Sequence, residues 1–95
     1  MAFVGMRDDK SPWLAQLSIE YAVMSDAALE GDFDEARFRA SLISKIAENA
    51  RMADIASMCH LVEALLGPSG TRPSERYVHA VLALGEAIYP DRRRT

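Results

Sequence analysis

Cys59 and His60 stand side by side, and His79 is the only other histidine in the chain. Thiolate and imidazole are common choices for nucleophile, general base and zinc ligand. A structural zinc site takes four ligands at set spacings, often opened by a Cys-x-x-Cys pair, and a single cysteine does not supply that. No metal and no cofactor is therefore expected. The chain also carries no Gly-x-Ser-x-Gly elbow, glycine-rich phosphate loop or Glu-x-x-His pair. Asp32 and Asp34 would do acid–base work only if buried together. At the start of a helix they instead favour the positive end of its dipole. No catalytic residue is assigned, and the expectation is that the protein is not an enzyme.

Other charged groups suggest contact rather than catalysis. Asp26, Glu30, Asp32, Asp34 and Glu35 crowd one short stretch. They read as a solvated turn, with a docking site for a basic partner as the sharper alternative. Arg92, Arg93 and Arg94 form a basic tail. The net charge of −3 over 95 residues nevertheless argues against nucleic-acid binding.

The elements that position these residues are punctuated by proline and glycine. Ser11 caps and Pro12 opens a first helix, on which Leu14, Leu17, Tyr21, Met24 and Ala28 recur every three or four residues. Cys59 falls on an apolar stripe and reads as a small core residue, whereas His60 and His79 project away from theirs. Gly31 stops the first helix as a left-handed cap. Asp32 then opens the second, with Glu35 three residues on in the manner of a capping box. So short a turn folds the second helix back antiparallel on the first.

Phe38, Leu42, Ile46, Ala50 and Ala53 carry the expected stripe of the second helix. From Ile55 onward, Met58, Cys59, Val62, Leu65 and Leu66 point to nearly the opposite side. A break between Asn49 and Asp54 reconciles the two, with Asn49 left-handed and Asp54 capping the next helix. The alternative is one long central helix that serves two cores, as in an interlocked dimer. Gly67-Pro68-Ser69-Gly70 is a loop, and a last helix carries Tyr77, Val81, Leu84 and Ile88 before Pro90. Gly85 within it allows close helix packing.

The expected architecture is all-α: an antiparallel four-helix bundle with helices over about 12–30, 33–48, 54–66 and 72–89. It forms a single domain over 1–95, with flexible ends at 1–10 and 91–95. Apolar residues are 49% of the chain and charged residues 26%, enough for one packed core and against general disorder. No run is long and apolar enough to span a membrane, and a lone cysteine fits a reducing cytoplasm. Ile19 and Val23 lie across the first helix from its main stripe. With Trp13 they are a candidate second interface, in line with a homodimer.

The stretch Gly31–Glu63 resembles the central part of a histidine phosphotransfer domain. The shared features are Gly31-Asp32-Phe33 at the hairpin turn, Ala40 before the phosphoacceptor position, and a helix break at the expected distance. Ile55, Met58 and Cys59 on the next helix and Val62-Glu63 at its end complete the match. The phosphoacceptor histidine itself is replaced by Ser41. Ser44 stands at the family's lysine position and Lys45 at its glycine. A serine hydroxyl cannot carry the readily transferred phosphoramidate of histidine. The resemblance thus implies a non-catalytic bundle that binds a receiver domain or histidine kinase through Arg37, Ser41, Ser44 and Lys45. These four are expected on one exposed polar face. The alternative function is a small homodimeric helical protein of an unrelated pathway.

Overall fold

A computed structural model describes residues 11–89. Four helices follow in order: α1 (Ser11–Leu29), α2 (Phe33–Asn49), α3 (Ala53–Leu66) and α4 (Tyr77–Ile88), with no strand among the described residues. Each helix packs on the next, and α4 returns against α1 to close an antiparallel four-helix bundle. The expected ends 1–10 and 91–95, the basic tail and the stop at Pro90 lie outside the described residues.

The first turn forms as its residues dictate. Gly31 has φ +80°, which an L side chain adopts only at a cost. The Asp32 amide closes the end of α1 by donating to the Ala27 carbonyl at 2.8 Å. Its carboxylate accepts from the Glu35 amide at 3.3 Å, the cap expected of it. The Glu35 side chain turns instead to Arg39, whose Nε donates to it at 2.7 Å.

The core runs down the middle of the bundle: Leu17 and Met24 from α1, Ile43 from α2, Val62 and Leu66 from α3, and Leu84 from α4 are all buried. On α2 the expected stripe needs correction. Phe38 is 54% exposed, Leu42 and Ile46 are half-buried and Ala53 is exposed. The buried stripe is Ala36, Ala40, Ile43, Ala47 and Ala50. Small side chains let α2 approach both neighbours closely, so the bulky residues are turned to the flanks.

The central helix does break, so the reading as one long helix does not hold. Its detail differs from the expectation: the left-handed residue is Arg51, at φ 61°, and Met52 rather than Asp54 precedes the new helix. Ala50 is buried and Met52 packs against the core. The exposed residue between them takes the strained conformation. The last helix also starts later than residue 72. The Ser74 amide donates to the Leu65 carbonyl at 3.0 Å, so the chain crosses the end of α3 before it winds.

Gly85 packs as expected. The Tyr21 ring lies against it, and its hydroxyl donates to the Val81 carbonyl at 2.9 Å. A Cβ at position 85 would collide with that hydroxyl and stand 2.8 Å from Cζ. No described helix is long and apolar enough to cross a membrane.

Candidate functional site

The seam between α2 and α3 gathers most of the residues singled out above. Spacing at 100° per residue sets Arg37, Ser41, Ser44 and Glu48 on one flank of α2. That flank faces α3 rather than open solvent, so the single exposed face of Arg37, Ser41, Ser44 and Lys45 does not form. Arg37 is drawn inward, with only 14% of its side chain accessible. Its Nε donates to the Gly67 carbonyl at 2.9 Å. Its Nη2 donates to the carbonyls of Leu66 at 2.9 Å and Thr71 at 2.6 Å. Its Nη1 reaches Asp34 at 2.8 Å. One guanidinium thus satisfies the carbonyls where α3 ends, a position where helices leave them orphaned.

Asp34 completes this end. It accepts from the Ser69 hydroxyl at 3.0 Å, and that bond, followed by Arg37, holds its carboxyl below the usual range. Ser44 is buried, and its hydroxyl donates to the Ser41 carbonyl at 3.0 Å. Ser41 is half-buried and Lys45 exposed. These two, with exposed Glu48 two turns from Ser41, are what remains accessible of the predicted face.

At the other end of the seam sits His60. It is exposed as expected, yet it is held on both sides. Its Nε2 lies 2.7 Å from Glu48 and its Nδ1 3.0 Å from Glu63. Both carboxylates favour the imidazolium, so its pKa is raised, Glu48 contributing most. The Glu63 contact was legible as an i,i+3 pair on one helix. The Glu48 contact joins two helices and leaves no mark in the local sequence. A shallow depression of about 390 Å³ adjoins it, lined by Glu48, Arg51, Met52 and His60 among others.

Cys59 is fully buried, as its place on the stripe implies, and its thiol lies 3.0 Å from the Ala40 carbonyl as a weak donor. Burial above all pushes its pKa up to about 12, which keeps it a thiol and a poor nucleophile. His79 is exposed on α4. Of the candidate second interface, Trp13 is 39% and Ile19 63% exposed, and Val23, one turn from Ile19 on α1, is half-buried.

A second seam, between α1 and α4, is apolar. It opens into a groove of about 180 Å³ lined by Tyr21, Ser25, Ala28, Leu29, Tyr77, Val78, Val81 and Leu82. Sequence periodicity missed it because Leu29, Val78 and Leu82 lie off the core stripes. Among the described residues no group of three or more His, Cys, Asp or Glu side chains is placed to hold a metal ion. Fold and seams together define a small all-α bundle whose ordered polar groups hold backbone, charge and one proton site on His60. No family model matches the chain, and no curated protein or solved structure matches it either.

Proposed function

We propose that this protein is a non-catalytic, phosphotransfer-like bundle that acts as an adaptor, binding a receiver domain or histidine kinase without passing on phosphate. The observation that carries the reading is the placement of Ser41. It lies midway along α2, on the seam with α3, in a hairpin built by Gly31-Asp32-Phe33 and ended by the turn at Ala50–Met52. These are the features on which the phosphotransfer resemblance rests. Ser41, Lys45 and Glu48 form the accessible docking strip, while Arg37 and Ser44 hold its backbone in place. Occupancy is the mechanism, since Ser41 has no imidazole nitrogen to accept and release phosphate.

The test is an affinity pull-down from lysate of cells that naturally make the protein, read by mass spectrometry. Wild type is compared with a variant carrying Ser41→Arg and Lys45→Glu. Recovery of a receiver or kinase by wild type and its loss in the variant is the expected result. Recovery of neither removes the signalling reading. Incubation with a phosphorylated receiver should leave no acid-labile phosphate on the chain. Phosphate on His60 or His79 would instead make it an active relay with a displaced acceptor. The form of homodimer that needs one long central helix is disfavoured, because the helix breaks at Arg51.

A further inference from the structure

The seam between α3 and α4 is built unevenly. Along it α3 sets Met58, Leu61 and Leu65 at i, i+3 and i+7, and α4 answers with Ala80, Ala83 and Ala87. Large side chains on one bank and methyl groups on the other leave a trough. Two depressions lie along it. One, of about 380 Å³, is lined by Leu61, Leu65, Ala80 and Ala83 together with Arg76 and His79. The other, of about 470 Å³, reaches Met58 and Ala87 at the far end. Leu61 is 52% and Met58 37% exposed, so the apolar floor stands open to water.

Charge falls at one end only. Arg76 has helical backbone angles, φ −69° and ψ −12°, so it and His79 at i+3 share one face. Ser74 fixes that end: its amide donates to the Leu65 carbonyl at 3.0 Å, and its hydroxyl accepts from the Arg76 amide at 3.2 Å. Both the Arg76 and the His79 side chains are exposed. Arg37 and Arg39 are spent on Asp34, Glu35 and Glu20, whereas the Arg76 guanidinium has no partner among the described residues. No acid lines its depression. At the far end Arg51 and Asp54 both border the trough and offset one another.

An arginine and a histidine at one end of an apolar trough match a molecule with one anionic head and one apolar chain. From Arg76 to Ala87 the helix rises about 16 Å. An extended chain of about twelve carbons, at roughly 1.3 Å each, has that length. We infer that the α3–α4 trough is a binding site for a medium-chain fatty carboxylate. Arg76 and His79 hold the head, and the chain lies over Leu61, Ala83, Met58 and Ala87. The site shares no residue with the Ser41 strip and does not rest on the function proposed for that strip.

The probe is dodecanoate, kept below its micelle concentration and titrated calorimetrically into the full chain. Saturable binding at one site is expected. Dodecyltrimethylammonium, with the same chain and the opposite charge, should not compete. Octanoate, whose shorter chain covers less of the trough, should bind at least about tenfold more weakly. Arg76→Gln should weaken dodecanoate at least about fivefold, as loss of a charge-assisted bond does. Leu61→Asp should weaken it about tenfold or more. Both residues are exposed, and circular dichroism verifies that the fold persists in each variant. Lys45→Gln and Leu82→Asp, at a cation and an apolar residue exposed elsewhere, should leave binding unchanged. Absence of binding, equal affinity for the cationic surfactant, full affinity in Arg76→Gln, or equal loss in the two control variants overturns the inference. So does binding to vesicles of anionic lipid without binding to free dodecanoate, for then the face reads a membrane surface and not a single acid.

Discussion

The α2–α3 seam and the α1–α4 seam close the same bundle by different means. In the first, polar groups do the closing: Arg37 spans from α2 to the carbonyls of Leu66, Gly67 and Thr71, and His60 spans back to Glu48. In the second, two tyrosines do it: Tyr21 is seated on Gly85 and donates to the Val81 carbonyl at 2.9 Å, and Tyr89, whose ring centroid is 6.0 Å from that of Tyr21, donates to the Ser18 carbonyl at 3.2 Å. Polar bridges hold one seam at its two ends and leave only a narrow strip around Ser41 and Lys45 between them. The aromatic seam is anchored where Tyr21 meets α4 and opens beside Leu29 and Val78 into a groove. Tyrosines that bond to backbone carbonyls leave apolar surface open beside them, whereas charged side chains that bridge both ends of a seam cover most of it.

Arg37 offers the sharpest way to break this contrast. Arg37→Ala leaves three carbonyls without their charged donor in a place only partly open to water. The loss should be about 2–3 kcal/mol, the range for a cluster of charge-assisted bonds with partial solvent replacement. Arg37→Lys should recover less than half, since an ammonium lacks the planar fork that reaches several carbonyls at once. Urea unfolding measures both. An unchanged midpoint in Arg37→Ala would mean that packing, and not this guanidinium, closes the polar seam.

Gly85 is the matching test of the aromatic seam. Gly85→Ala gains up to about 1 kcal/mol of helix propensity. Against this, the new methyl must displace the Tyr21 ring, and overpacking of this kind costs about 1–3 kcal/mol. A net loss of about 1 kcal/mol is expected. Tyr21→Phe alone gives up the bond to Val81, about 1 kcal/mol, yet in the Gly85→Ala background it removes the colliding hydroxyl. The pair should therefore lose less than the two single losses added together, which a double-mutant cycle reads directly. Strict additivity would show that Tyr21 does not rest on position 85.

Local signals carried much of the architecture. Gly31, Asp32 and the Gly67–Gly70 loop mark helix ends because backbone conformation and capping are settled within a few residues. The break in the central helix was legible too, since the stripes before and after it point to opposite sides. Its left-handed residue was not. Asn49 has the better propensity, but burial of Ala50 and packing of Met52 against the core decided the geometry in favour of Arg51. The α2 stripe was misread for a related reason. Phe38 and Leu42 dominate a hydrophobic pattern, whereas close helix packing selects Ala36, Ala40 and Ala47. At the site, the residues Ser41 and Lys45 were reachable from helical spacing. The inward role of Arg37 was not, because its carbonyl partners lie about thirty residues away, at the end of α3 and in the loop that follows it. Contacts of that range follow from the assembled bundle, not from any local pattern.

The smallest expected effect lies at His60, and it sharpens the comparison by adding pH to it. The imidazolium donates to Glu48 from Nε2 and to Glu63 from Nδ1, so its pKa in the folded protein stands above its unfolded value. The sign follows from linkage: protons bind more tightly to the folded state. The clasp's contribution is complete below the unfolded value and is lost as pH rises through the folded one. Glu48→Gln should lower the His60 midpoint in a proton NMR titration, Glu63→Gln should lower it less, and the double substitution most. The side chains are exposed, so raised salt should shrink all three shifts. The α1–α4 groove has no such clasp among its lining residues. If the Glu48→Gln midpoint stays where wild type has it, α2 and α3 are not joined through His60, and the polar seam is held at the Arg37 end alone.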